Sequence, residues 1–376
     1  MIPFNKSTLT SSSLKNVKEA MNSTFHVGDG PFTELCQNFF KEKYGFKHTL
    51  LTTSCTHALE MCAILLNFEK DEEIIMPSYT FVSCANSFIR EGANVVFCDS
   101  DDSSPNLNLD HLEHLITSKT KAVLAVHYGG ASCDMERLKE ITSKHNLILI
   151  EDAAQAINSY YNKQPLGSFG DLSTFSFHGT KNISCGEGGL LAINNEKYID
   201  RSEIIREKGT NRKAFIKGKV DKYKWIDKGS SYLPSDLLAA VLYGQLQDLD
   251  IIYKHRLNAW NYYYKHISKI SNNIFNINEH EKIVGHNGHI FYLAFCSEKE
   301  KDKFINFMDA NNVQVVTHYQ SLHIAPYYKE INKEKVDFCK NADFFTNVLI
   351  RLPLYPNISN AELDIVIDLI KEYCSQ

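Results

Sequence analysis

From about residue 47 onward the chain alternates short apolar runs with longer amphipathic stretches, and this rhythm limits the fold more than any other feature. HTLLTT precedes CTHALEMCAILL, EEIIMP precedes TFVSCANSFIREG, and NVVFCD, KAVLAV and LILIED follow at similar spacing. Short buried strands separated by helices predict βαβ units, so the expectation is an α/β fold with a mostly parallel sheet covered on both faces. Ligands of such sheets bind beyond the carboxyl ends of the strands. Four segments sit at those ends: Thr53 to Ala58, Pro77 to Phe81, His127 to Gly130, and Glu151 to Gln155. STFSF and GGLLAI close the strand-rich part, and a helical pattern then starts at Glu196. A Lys-rich stretch over 208–230 reads as an exposed excursion, and a long helical region runs from Ser235 to about Ile267. HIFYLAF and VQVVTHY then predict a smaller α/β domain. The expected division is a large domain over 1–250 and a small C-terminal domain over 251–376.

Composition excludes several classes. With 40 basic and 45 acidic residues and a formal charge of −5, nothing marks a surface for nucleic acid. The ten cysteines are scattered without a CxxC pair, which predicts reduced, mostly buried thiols and neither a disulfide framework nor a metal site. The opening MIPFNKSTLTSSS has no basic region followed by an apolar run, and no stretch reaches the roughly 18 apolar residues of a membrane span. The expectation is a cytoplasmic protein with no membrane partner.

Two segments carry chemistry: IEDAAQA at 150–156 and TFSFHGTKNISCGEGG at 174–189. Asp152 ends an apolar strand, where a carboxylate is costly unless a cationic group meets it; the bland alternative is an N-cap for a helix starting at Ala153. Lys181, in a Ser/Thr/Gly-rich turn after Phe177, would alone read as a solvated loop lysine. Together they satisfy one demand. An aldehyde cofactor with a pyridine ring needs an amine to hold it and an acid beside its ring nitrogen.

The blocks TTSCTHAL, PSYTFVSCAN, EDAAQ, SFHGTKN with GEGG, THYQSLH and RLPLYPN occur in an order and spacing that resemble the DegT/DnrJ/EryC1/StrS family of sugar aminotransferases, across essentially the whole chain. IIREKGTNR and VDKYKWIDKGSSYL are similar to those of members acting on dTDP-4-keto-6-deoxyglucose. The resemblance implies a fold type I transferase dependent on pyridoxal 5′-phosphate (PLP). It also implies a homodimer with active sites at the subunit interface, L-glutamate as amino donor and a dTDP-linked keto sugar as acceptor. It assigns the cofactor to Lys181 and Asp152, with Gln155 beside the ring hydroxyl and Phe81 on the ring. The phosphate falls to Ser54, Cys55 and Thr56 at a helix start, helped by Ser176. Gly28, Asp29, Gly30, His178, His318 and His323 fall on the substrate side. Many relatives carry an Asn that reaches the partner's phosphate; here the block reads GSSYL, and Ser231 or Tyr232 would replace it. Related dehydratases have histidine in place of the lysine, so Lys181 favours amino transfer. A C3-specific transaminase, a PLP-dependent sugar dehydratase and a non-catalytic scaffold are the competing readings.

Overall fold

The computed structural model describes residues 1–270, 273–277, 285–332 and 338–376. The apolar runs fold as strands β1 (His48–Thr52), β2 (Glu73–Pro77), β3 (Asn94–Cys98), β4 (Thr120–Val126) and β5 (Ile148–Asp152). A two-stranded ribbon of β6 (Tyr160–Tyr161) and β7 (Gln164–Pro165) follows, then β8 (Leu172–Ser176) and β9 (Gly189–Ile193). Seven of these strands form one sheet in the order β1-β9-β8-β5-β4-β2-β3. β5 pairs parallel with both β4 and β8, and β2 pairs parallel with both β4 and β3. β9 runs antiparallel between β1 and β8. The carboxyl ends of six strands therefore share one edge, and Gly189 at the start of β9 stands opposite Thr52 and Ser176 there.

Helices α1 (Ser11–Asn22), α2 (Pro31–Tyr44), α3 (Cys55–Leu66) and α4 (Val82–Ile89) open the chain. Apolar residues on both faces of the sheet are buried in two clusters, one around Leu50, Ile74 and Leu124, the other around Leu51, Ile75 and Val123. This alternation is what a two-sided core requires, and each such side chain contributes about 1.5–3 kcal/mol by leaving water. The long helical region splits at Asp248 into helices Asp236–Gln247, capped by Ser235, and Leu249–Ile267.

A second sheet of β10 (Phe275–Ile277), β11 (Tyr292–Phe295), β12 (Val316–Thr317) and β13 (Leu349–Arg351) is antiparallel throughout, in the order β10-β11-β13-β12. Its core includes Trp260, Phe291, Phe304 and Ile367. Leu249 and Ile252 pack into a core of the large sheet, whereas Ala259, Trp260 and Tyr263 of the same helix pack into this third core. One continuous helix therefore ties the two lobes together. The N-terminal segment crosses between them: Ile2 bonds with Asn312 and Gln314, Phe4 with Gln314 and Leu354, and the Asn5 amide donates to the Gly179 carbonyl at 3.1 Å.

Candidate active site

A cavity of about 650 Å³ opens at the shared strand edge, between the two lobes. Asp152, the last residue of β5, and Lys181, in the turn after β8, both line it. Asp152 is buried, and its carboxylate is held by two donors, the Cys84 thiol at 3.0 Å and the Ala154 amide at 3.0 Å. The N-cap alternative is corrected here: residues 153–159 form turns, and no helix begins at Ala153. Glu151 points to the other face of the sheet, as strand alternation demands. There it accepts from His127 Nε2 at 2.8 Å and from the amides of Gly167, Phe169 and Gly170. Burial lowers the Lys181 pKa; Cys55 and Asp152 pull it the other way, and Arg351 adds to the lowering. A lysine in such surroundings yields neutral amine, the form that attacks a carbonyl or takes a proton.

The start of α3 forms another wall. Ser54 caps this helix by accepting from the His57 amide at 3.1 Å, so the amides of Cys55 and Thr56 stand in a first turn that offers them no acceptor. Ser54, Cys55, Thr56, Ser83 and Ser176 all line the cavity, and the Thr56 and Ser83 hydroxyls are 2.8 Å apart. Gly189 is required by this arrangement, since a Cβ there would lie 2.3–2.4 Å from the Ser54 and Cys55 backbone. Phe81, at the head of α4, is 54% exposed and presents its ring to the cavity.

The Gln155 side chain bridges the lobes: its Oε1 accepts from the Gly129 amide at 2.7 Å and its Nε2 donates to the Tyr319 hydroxyl at 2.8 Å. His318 stacks on Tyr319 with centroids 3.7 Å apart and places Nδ1 2.6 Å from the Tyr128 hydroxyl. Burial holds its pKa well below the usual histidine value. His178 lines the cavity from an exposed position, with Nδ1 3.0 Å from the Thr180 hydroxyl.

Not every expected residue arrives. His323 does not line this cavity; its Nδ1 is 2.8 Å from the Ser78 hydroxyl and its Nε2 3.6 Å from Asp343. The Gly28-Asp29-Gly30 segment lies outside the cavity, where Asp29 pairs with the buried Arg206 at 2.6 Å and Gly30 packs against the Asp236 carboxylate that caps α2. Ser231 is exposed and also outside. The Tyr232 hydroxyl faces Glu60 at 3.3 Å. Of the four expected strand-end segments, His127 to Gly130 does not line the cavity itself and reaches the site through the Gly129 amide on Gln155 and the Tyr128 hydroxyl beside His318. Residues not assigned a role from the sequence also line the cavity, among them Phe4, Asn5, His289, Tyr319 and Arg351. Tyr319 and Arg351 lay within the blocks THYQSLH and RLPLYPN, so a signal existed for them; none existed for Phe4 and Asn5. A larger cleft of about 930 Å³, lined by Asp101, Asp110 and Arg137, has no lysine among the described residues of its lining.

An amine and a carboxylate facing one chamber, a helix start with hydroxyls beside it and an aromatic wall fit PLP as the bound group. Residues 7–371 match the DegT/DnrJ/EryC1/StrS aminotransferase family. The chain is 30% identical over 379 residues to the spore coat polysaccharide biosynthesis protein SpsC of Bacillus subtilis, covering 99% of this chain and 96% of the relative. It is 28% identical to GDP-perosamine synthase of Escherichia coli O157:H7, covering 100% and 99%. Among solved structures, Spr1654 of Streptococcus pneumoniae in its PMP form superposes with a TM-score of 0.91 at 23% identity, covering 100% and 99% of the two chains, and it has also been solved in a PLP form. The chain belongs to the DegT/DnrJ/EryC1/StrS aminotransferase family, has the architecture of fold type I and uses PLP as its cofactor.

Proposed function

We infer that this enzyme moves the amino group of L-glutamate to the C4 keto carbon of dTDP-4-keto-6-deoxy-D-glucose, giving dTDP-4-amino-4,6-dideoxygalactose for a surface glycan. The observation that carries the reading is the meeting of Lys181 and Asp152 in one cavity of a chain from this family. The narrower choice of sugar rests on the segments at 204–212 and 220–233. When bound, PLP supplies an aldehyde and an electron-withdrawing ring that stabilises negative charge on the reacting carbon.

The residues divide the work. Asp152 holds the ring nitrogen's proton, and the Cys84 and Ala154 donors keep its carboxylate in place. The α3 start, with Thr56, Ser83 and Ser176, binds the phosphate, while Phe81 covers one ring face and Gln155 meets the ring hydroxyl. Lys181 Nζ takes a proton from the donor's α-carbon and later returns one to the sugar carbon. Burial favours the neutral amine that both steps need. Residues 1–250 thus carry the cofactor and residues 251–376 close over it. Ser231 and the Gly28 to Gly30 turn serve a second copy's cavity in a cytoplasmic homodimer, a reading supported by their place outside their own cavity and by the exposed Phe25 and Val27 just before the turn. His178 and His318 face the acceptor sugar.

Similarity to GDP-perosamine synthase favours a second reading, a GDP-linked 4-keto sugar as acceptor. Purified enzyme should be offered glutamate with dTDP-4-keto-6-deoxyglucose, its 3-keto isomer and a GDP-linked 4-keto-6-deoxyhexose, and the products weighed by mass spectrometry. A 4-amino dTDP sugar formed with stoichiometric 2-oxoglutarate is expected. Amination of only the GDP sugar or only the 3-keto isomer would move the assignment, and release of ammonia in place of 2-oxoglutarate would make the enzyme a dehydratase.

A further inference from the structure

Arg351, the last residue of β13, brings to the cavity a cation that the transfer described above leaves without a role. Its Nη2 donates to the Thr317 carbonyl at 2.8 Å, and its guanidinium carbon lies 4.6 Å from the centre of the Phe4 ring. Its Nε is buried and meets no acceptor. No aspartate or glutamate among the described residues pairs with it. The groups that interact with it are the phenols of Tyr79, Tyr128 and Tyr319. A half-buried guanidinium with an unmet Nε and no counter-charge loses part of its hydration, a loss that an arriving anion offsets.

The two buried arginines are held more firmly. Arg206 pairs with Asp29. Arg256 also lines the cavity and keeps a buried Nη1 without an acceptor, but its Nε and Nη2 are fixed by the Gly288 and His289 carbonyls. Arg351 is half-buried and is held by the Thr317 carbonyl at Nη2, which leaves the Nε edge of its fork unmet at the cavity. It also lies close enough to Lys181 for its charge to help lower the lysine's pKa. An anion held by Arg351 is therefore held beside the amine that moves protons.

We propose that Arg351 anchors the amino donor, gripping the α-carboxylate of L-glutamate so that its α-carbon is presented to Lys181 Nζ. The planar fork of a guanidinium, with Nε available, suits a carboxylate, and fixing the carboxylate fixes the direction of the α-hydrogen. The inference rests on the amino-transfer reading, but only on its donor half; the identity of the sugar does not enter.

The test uses PLP-loaded wild type, Arg351→Gln and Arg351→Lys. Calorimetric titration with glutarate, a dicarboxylate that cannot react, should show binding weakened about 30-fold or more by Arg351→Gln, the scale of a charge-assisted hydrogen bond. Arg351→Lys, which keeps the charge without the fork, should fall between the two and carries the test should the Gln variant fail to fold. In single-turnover assays the glutamate half-reaction should lose about 100-fold in kcat/KM, while the pyridoxamine-phosphate enzyme should aminate the keto sugar within about threefold of wild type. Unchanged glutarate binding in both variants, or a loss carried by the sugar half-reaction, overturns the proposal. With 4-aminobutyrate, which lacks an α-carboxylate, Arg351→Gln should change nothing; an equal loss on both donors would place the contact on the distal carboxylate and overturn the α assignment. If wild type aminates none of the sugars, the proposed acceptor fails, yet the glutarate and glutamate measurements still decide the role of Arg351.

Discussion

The two walls of the cavity are built from different material. The large-sheet wall offers an amine, a carboxylate, small hydroxyls and backbone amides, at strand and helix ends or, for Lys181, in the turn that follows β8. The small-lobe wall offers His289, His318, Tyr319 and Arg351, which are bulky, aromatic or cationic and stand on β13 and loops. The first is equipped for bond making and phosphate binding, the second for recognising what enters. Substitutions on the two sides should therefore fail in different ways.

The sharpest test of that division is Lys181→Ala, which removes the only lysine among the described residues that line the cavity. Turnover should fall by roughly 10³-fold or more while the protein folds and retains PLP, measured by coupled 2-oxoglutarate release and cofactor absorbance. Full activity would place the chemistry elsewhere. Asp152→Asn should follow with a loss of about 10²-fold in kcat, because an amide cannot hold the ring proton by charge; an unaltered kcat would remove Asp152 from the mechanism. Tyr319→Phe, on the opposite wall, deletes the hydroxyl that Gln155 contacts and should cost about 1 kcal/mol, seen as a severalfold change in KM with kcat nearly preserved. A drop in kcat alone would blur the proposed division.

The mildest effect concerns pH. Burial lowers the Lys181 pKa below its usual 10.5, so the folded apoprotein releases this proton before the unfolded chain does. Between the two values the unfolded chain binds more protons, and stability rises with pH through that window before levelling off near 10.5. Lys181→Met should flatten the rise in Tm of the apoprotein over that range. A slope identical in both proteins would mean that the lysine is not desolvated.

The large-sheet wall was also the legible one. Apolar runs that end in Thr52, Pro77 and Asp152 announce strand ends, and ligand sites in parallel sheets follow from strand ends. The small-lobe wall gave no comparable pattern, because strands of two to four residues show too little alternation to read. THYQSLH illustrates the difficulty: His318 enters the cavity, but the short turn Leu322–Ile324 carries His323 to Ser78. The Phe4 and Asn5 contacts join positions more than 170 residues apart, as with Asn5 and Gly179, and local sequence cannot encode such a meeting.

The crossing of Phe4 over Arg351 and of Asn5 onto the Lys181 turn has a practical side. Anyone purifying this enzyme with an affinity handle fused ahead of Met1 attaches it within a few residues of the cavity. A carboxyl-terminal handle follows the helix Asn360–Cys374, none of whose residues lines that cavity. Kinetic constants from the two fusions need not agree, and the carboxyl-terminal one is the better reference.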